Sequence, residues 1–118
     1  MSVQAKLAAI PDVKIETGTF KYIQIKVSCK GSEKIIICGL VEAEYHADIF
    51  DEESPKIEAL GFDTICIGGG RIKHEPSSKK IVVYGYSVGF GRAEHSITVD
   101  KLKQHYPGYN ITWSNEGY

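Results

Sequence analysis

The sequence predicts a single α+β domain, and three observations carry that prediction. Residues 21–29 alternate apolar and polar with a period of two, residues 35–41 form an unbroken β-branched run, and two stretches near 46–60 and 93–106 have helix-like patterns. Gly61 closes the first of these and Pro107-Gly108 the second. A chain of 118 residues builds one useful core and is too short for two. Its 42% apolar and 25% charged residues exclude disordered and fibrous classes.

Taken in order, the chain passes Pro11-Asp12, a short extended piece (Val13, Ile15) and a Thr17-Gly18-Thr19 turn. In 21–29, Ile23, Ile25, Val27 and Cys29 share one face, and Tyr22, Gln24, Lys26 and Ser28 the other. Lys21 opens this strand on its apolar face, so its ammonium emerges at the end of the sheet, a position that snorkelling to solvent explains without a ligand. A hairpin-like turn (Lys30-Gly31-Ser32-Glu33) leads to the β-branched run, which reads as a strand covered on both faces and central in the sheet. In 46–60, Ala47, Phe50, Ile57 and Leu60 share a side, while Ser54-Pro55 predicts a kink or a fresh start.

Residues 62–67 are strand-like and run into Gly68-Gly69-Gly70-Arg71. Three glycines permit close backbone approach and expose amides that suit an anion, yet a simple bulge accounts for them equally. The spacing is neither a Walker loop nor G-x-G-x-x-G. Residues 72–75, the turn Pro76-Ser77-Ser78 and residues 80–86 form a hairpin. Ser87-Val88-Gly89-Phe90-Gly91 then opens into the second helix, which is the raw material of a phosphate site and of any tight turn. Tyr109, Ile111 and Trp113 alternate with Asn110, Thr112 and Ser114 in a last strand. There is no internal repeat, low-complexity tract or linker.

With 14 basic and 15 acidic side chains, the net charge of -1 argues against nucleic-acid binding, which needs a basic surplus. Cys29, Cys38 and Cys66 are odd in number and lack C-x-x-C spacing, so they read as small hydrophobes in a reducing compartment. The patch Leu7-Ala8-Ala9-Ile10 is too short for a membrane span and lacks a signal peptide's basic flank, so a cytoplasmic protein is expected, with no heptad or apolar stripe to argue against a monomer. His46, His74, His95 and His105 show neither H-x-H nor H-E-x-x-H spacing, and no metal or other cofactor is expected. Of the four, His46 stands out. In Glu44-Tyr45-His46-Ala47-Asp48-Ile49 its imidazole falls between a strand and a helix, which suits a packed or capping residue and also a rigidly held, reachable reactive one.

The motifs Ala43-Glu44-Tyr45-His46-Ala47-Asp48-Ile49, Gly68-Gly69-Gly70-Arg71-Ile72, Val83-Tyr84-Gly85-Tyr86-Ser87 and Tyr106-Pro107, with the closing Thr112-Trp113-Ser114-Asn115-Glu116-Gly117-Tyr118, occur together in this order. With Ile10-Pro11-Asp12-Val13 and Phe20-Lys21-Tyr22, they closely resemble the Janus family of protein histidine phosphatases over nearly the whole chain. The resemblance implies a mixed six-stranded sheet flanked by two helices across residues 1–118. It also implies metal-independent hydrolysis of phosphohistidine in proteins, with phospholysine and small phosphoramidates as further substrates.

Carried over by motif, His46 matches the family's catalytic histidine. Tyr45, Ala47 and the Ser87, Val88 and Gly89 loop match its phosphate-binding elements, Lys21 and Arg71 its basic substrate contacts, and the Gly68 backbone its orienter of the imidazole. The chemistry suits such residues, because a phosphoryl group leaving nitrogen passes through a loose transition state that needs positioning and donors. A neutral histidine fixed by a carbonyl can act as general base or as nucleophile. The chain departs from the family pattern at Cys38, where an arginine is usual, and at Val88-Gly89, where Met-Ala is usual; its Lys30 turn is also shorter. The first departure implies weaker recognition of an acidic substrate flank. The competing expectation is a non-catalytic member of the fold that binds phosphorylated or acidic partners.

Overall fold

The computed structural model describes residues 2–116, so Gly117-Tyr118 of the closing motif lie outside the described residues. In chain order the elements are α1 (Val3–Ala9), β1 (Val13–Lys14), β2 (Gly18–Cys29), β3 (Ser32–Leu40), α2 (His46–Glu58), β4 (Asp63–Glu75), β5 (Lys80–Tyr84), α3 (His95–His105) and β6 (Asn110–Trp113). The strands form one mixed sheet in the order β1-β3-β2-β4-β5-β6, parallel at its two edge pairs and antiparallel between them. The α+β prediction with six strands stands. A short third helix, α1, joins the two expected ones, capped by the Ser2 hydroxyl on the Ala5 amide at 3.0 Å.

Both faces of the sheet are covered, and the alternation in β2 sorts its side chains between two cores. Ile23, Ile25 and Val27 pack with Ile36, Cys38, Ile49, Ile57 and Phe62 beneath α1 and α2. Phe20 and Tyr22 pack with Ile37, Ile72, Ile81, Val83, Val99 and Leu102 beneath α3. Each fully buried isoleucine here contributes about 1.5–3 kcal/mol through removal of apolar surface from water. Ile36 and Cys38 face one core and Ile37 the other, as the unbroken run predicted. The run is not central, however: β3 is second from the edge, with only the two-residue β1 beyond it, and β2 and β4 hold the middle. Helices cover both faces of β3, and that cover, rather than centrality, makes its composition uniformly apolar.

The Lys30-Gly31 turn joins β2 to β3 with positive φ at both residues (49° and 82°), the handedness that a two-residue hairpin turn needs. Two boundaries differ from expectation. α2 runs through Pro55 as one helix, because Pro55 lies on its exposed side, where water can take the carbonyl left without a donor. The predicted strands at 62–67 and 72–75 are a single strand, β4, that continues through the glycines with a register shift opposite Gln24 and Ile25. All three cysteines are free thiols; Cys38 is buried and burial pushes its thiol up to about 12, while Cys29 and Cys66 are half-buried.

Candidate active site

His46 is the first residue of α2, and Tyr45 is its N-cap. The Asp48 carboxylate accepts the Tyr45 amide at 2.9 Å, which fixes the entry of the chain into the helix. The His46 and Ala47 amides belong to the first turn, where no intrahelical acceptor exists, so they point out of the positive end of the helix. The His46 side chain is 6% exposed and lies back against β4. Its Nε2 is 2.9 Å from the Gly70 carbonyl oxygen, so Nε2–H donates there and the lone pair resides on Nδ1. Burial holds its pKa below the usual 6.5, and the positive charges of Lys21 and Arg71 add to the lowering, against the opposing Gly70 bond. The lowering favours the neutral imidazole.

The glycines make room for this ring. A Cβ on Gly69 would stand 2.7 Å from His46 Cδ2, 2.8 Å from the Tyr22 carbonyl oxygen and 3.2 Å from Ser87 Cβ, so only glycine admits the histidine and the serine loop together. A Cβ on Gly68 would strike the Ala93 backbone at 2.8 Å. The imidazole-orienting carbonyl is thus Gly70's, not Gly68's. The Gly68 carbonyl instead accepts the Cys66 thiol at 3.7 Å, and Gly68 sits beside the bulge with a φ of 150°, which sets its peptide off the regular ladder.

The second wall is the loop after β5. Ser87 and Gly91 pair across it (3.1 and 2.8 Å), and the Ser87 hydroxyl accepts the Phe90 amide at 3.1 Å. Gly91 and Ala93 also bond to Gly69, each at 3.0 Å, which moors the loop to the strand that orients His46. Lys21, Tyr45, His46, Ala47, Ser87, Val88 and Gly89 all line one cleft of about 590 Å³, together with Glu44 and Phe90, which sequence reasoning did not single out. Arg71 is the direct cross-strand partner of Lys21. Arg71 itself is not among the residues that line the cleft; it stands beside Lys21 on the neighbouring strand, near enough for its charge to act on His46.

His74 and His95 are buried as well, and His95, weighed in the sequence only as a metal ligand, anchors a polar network. His95 is 1% exposed; its Nε2 meets the Gly85 carbonyl oxygen at 2.8 Å and its Nδ1 the Tyr22 hydroxyl at 2.5 Å. Thr98 donates to that hydroxyl at 3.0 Å, and the Gln24 amide donates to Thr98 at 2.8 Å. The apparently polar face of β2, Tyr22 and Gln24, is the sheet's share of this network. Alternation alone marks such residues as solvent-facing, and only the cover of α3 reveals their partners. Among the described residues no group of three or more His, Cys, Asp or Glu side chains is arranged to hold a metal ion.

Comparison with known proteins follows the same outline. The sequence profile of the Janus/Ocnus family matches residues 7–110. The chain is 48% identical to the pig 14 kDa phosphohistidine phosphatase, with all of both chains covered. It is 47% identical to the human 14 kDa phosphohistidine phosphatase over 97% of this chain and 98% of the relative. It is also 46% identical to the sex-regulated protein janus-A of Drosophila melanogaster, covering 100% of this chain and 88% of that protein. Profile and relatives span nearly every element described above, and the chain belongs to the Janus/Ocnus family.

Proposed function

We propose that this protein is a metal-independent phosphohistidine phosphatase of a single domain, with His46 as its reacting side chain and phospholysine as a further substrate. The observation that carries the proposal is the His46 ring, fixed through Nε2 on Gly70, at the positive end of a helix and in a cleft shared with Lys21 and the Ser87 loop. The pig and human relatives named phosphohistidine phosphatase support the substrate class. Histidine-phosphorylated proteins are the partners, and the net charge of -1 and free thiols suit a cytoplasmic monomer.

The geometry supports a role for each residue. Amides of His46, Ala47, Val88 and Gly89, with the Ser87 side chain and Lys21 in the cleft and Arg71 beside Lys21, surround the phosphoryl oxygens with donors and positive charge, supplying what a divalent ion otherwise would, while Tyr45, whose amide is taken by Asp48, meets the substrate through its side chain. Gly70 keeps the proton on Nε2, so Nδ1 is the reacting atom whether it takes a proton from water or takes the phosphoryl group itself. The test is dephosphorylation of a histidine-phosphorylated protein in excess EDTA. Wild type retains its rate, and His46→Ala loses about 10³-fold, the scale of a positioned acid–base group. An equally active His46→Ala variant would sink the mechanism, and an inactive wild type that still binds phosphoprotein would make the domain a binding module.

A further inference from the structure

Glu44 lines the phosphate cleft, and nothing in phosphate binding explains it. The remaining walls offer what an anion needs: helix amides, Lys21 and the Ser87 loop. A carboxylate at the mouth opposes a phosphate dianion through like charge. Beside it stands Tyr45, 64% exposed, and across the cleft Val88 is 81% exposed. The floor of the cleft is therefore built for an anion, while its mouth combines a negative charge, an exposed aromatic ring and an apolar lip. Such a mouth suits a flat cation.

Resting on the phosphatase reading above, we propose that Glu44 is a specificity-determining residue that holds the leaving group of the substrate in its cationic form, with Tyr45 as the platform beneath it. Chemistry gives the reason. The P–N bond breaks with its electron pair going to the ring nitrogen, and the phosphoryl group passes to water or to Nδ1 of His46. A substrate ring protonated on its other nitrogen leaves as neutral imidazole, whereas an unprotonated ring must leave as the far more basic imidazolate. A carboxylate accepting that second N–H keeps the proton in place. The protonated nitrogen of phospholysine gains in the same way, while an O-phosphate ester has no such charge to offer. The cleft thus selects N-phosphoryl over O-phosphoryl substrates at its mouth, through the leaving group.

Glu44→Gln tests this, since the exposed side chain can be exchanged without disturbing the core. Two constants are measured on the full chain: kcat/KM for a phosphohistidine peptide, and Ki for inorganic phosphate, which fills the floor but has no leaving group. The variant's kcat/KM falls about tenfold, the worth of one charge-assisted hydrogen bond, while its Ki falls severalfold because the repulsion is gone. Movement of both constants toward weaker interaction, or of neither, overturns the proposal. So does a lower Tm with both constants unchanged, which would leave Glu44 as a helix-dipole partner of α2 only. A wild type that binds phosphate but never cleaves the peptide removes the phosphatase reading itself, a failure distinct from these.

Discussion

His46 and His95 stand on opposite faces of β4, in settings that match in most respects. Each is the first residue of a helix, each is buried, and each has Nε2 on a glycine carbonyl, Gly70 for one and Gly85 for the other. Burial lowers both pKa values, with nearby positive charge adding to it: Lys21 and Arg71 at His46, Arg92 at His95. The difference lies in the second nitrogen. Nδ1 of His95 is taken by the Tyr22 hydroxyl beneath α3, whereas His46 opens onto a cleft that Lys21 also lines, with Arg71 beside Lys21 on the neighbouring strand. A perturbed histidine on a helix N-terminus is therefore not enough to mark a reactive group; an accessible lone pair and a place for the substrate's charge distinguish the two.

The largest effect within this comparison is expected from Gly69→Ala. The added methyl must displace either the His46 ring or the Tyr22 backbone, and a shift on the order of 1 Å in a reacting group costs about 10²-fold in rate. Steady-state kinetics alongside circular dichroism would separate this loss from unfolding, and a fully active Gly69→Ala would show that the ring's position is not fixed by the glycine.

Lys21→Ala and Arg71→Ala come next, raising KM about tenfold each with a smaller change in kcat if they bind ground and transition states alike. They also sharpen the pH profile. A base with a lowered pKa is active down to a pH below 6.5, and the acid limb of kcat/KM should fall there in wild type. Removing either cation takes away part of the lowering, so the limb moves up toward 6.5 in the variants. A limb that stays in place would separate these charges from His46.

The smallest effect on turnover is expected from His95→Gln, which keeps a polar group but not the paired geometry. Its cost falls on stability, about 1–3 kcal/mol for buried groups left short of partners, read as a shift in chemical denaturation with kcat within tenfold of wild type. The sign of the pH dependence is the same for both histidines. Their folded pKa values lie below the ordinary 6.5, so the unfolded chain binds more protons and stability falls as pH drops from 6.5 through the folded values. In His95→Gln part of that acid sensitivity disappears, and an unchanged acid slope would remove His95 as its source.

Strand alternation at 21–29, the β-branched run and the glycine stops were enough to determine the fold class, because each depends on residue type and short spacing, whereas His46, Lys21, Arg71 and the Ser87 loop were singled out by the resemblance of their motifs to the Janus family. Position along the chain could not say which carbonyl meets the imidazole: Gly68 and Gly70 are two residues apart, and the bulge in β4 decides between them. Nor could alternation distinguish Tyr22 and Gln24 from solvent-facing residues, since their partners, His95 and Thr98, lie 73 to 74 residues away. Glu44 reads in sequence as one more exposed acid, and only the meeting of the α2 entry with the Ser87 loop puts it at the mouth of a cleft. What the sequence determined is local pattern and chemical type; the tertiary structure decided which lone pair is free, because accessibility is a property of the neighbours that close around a side chain and not of the side chain itself.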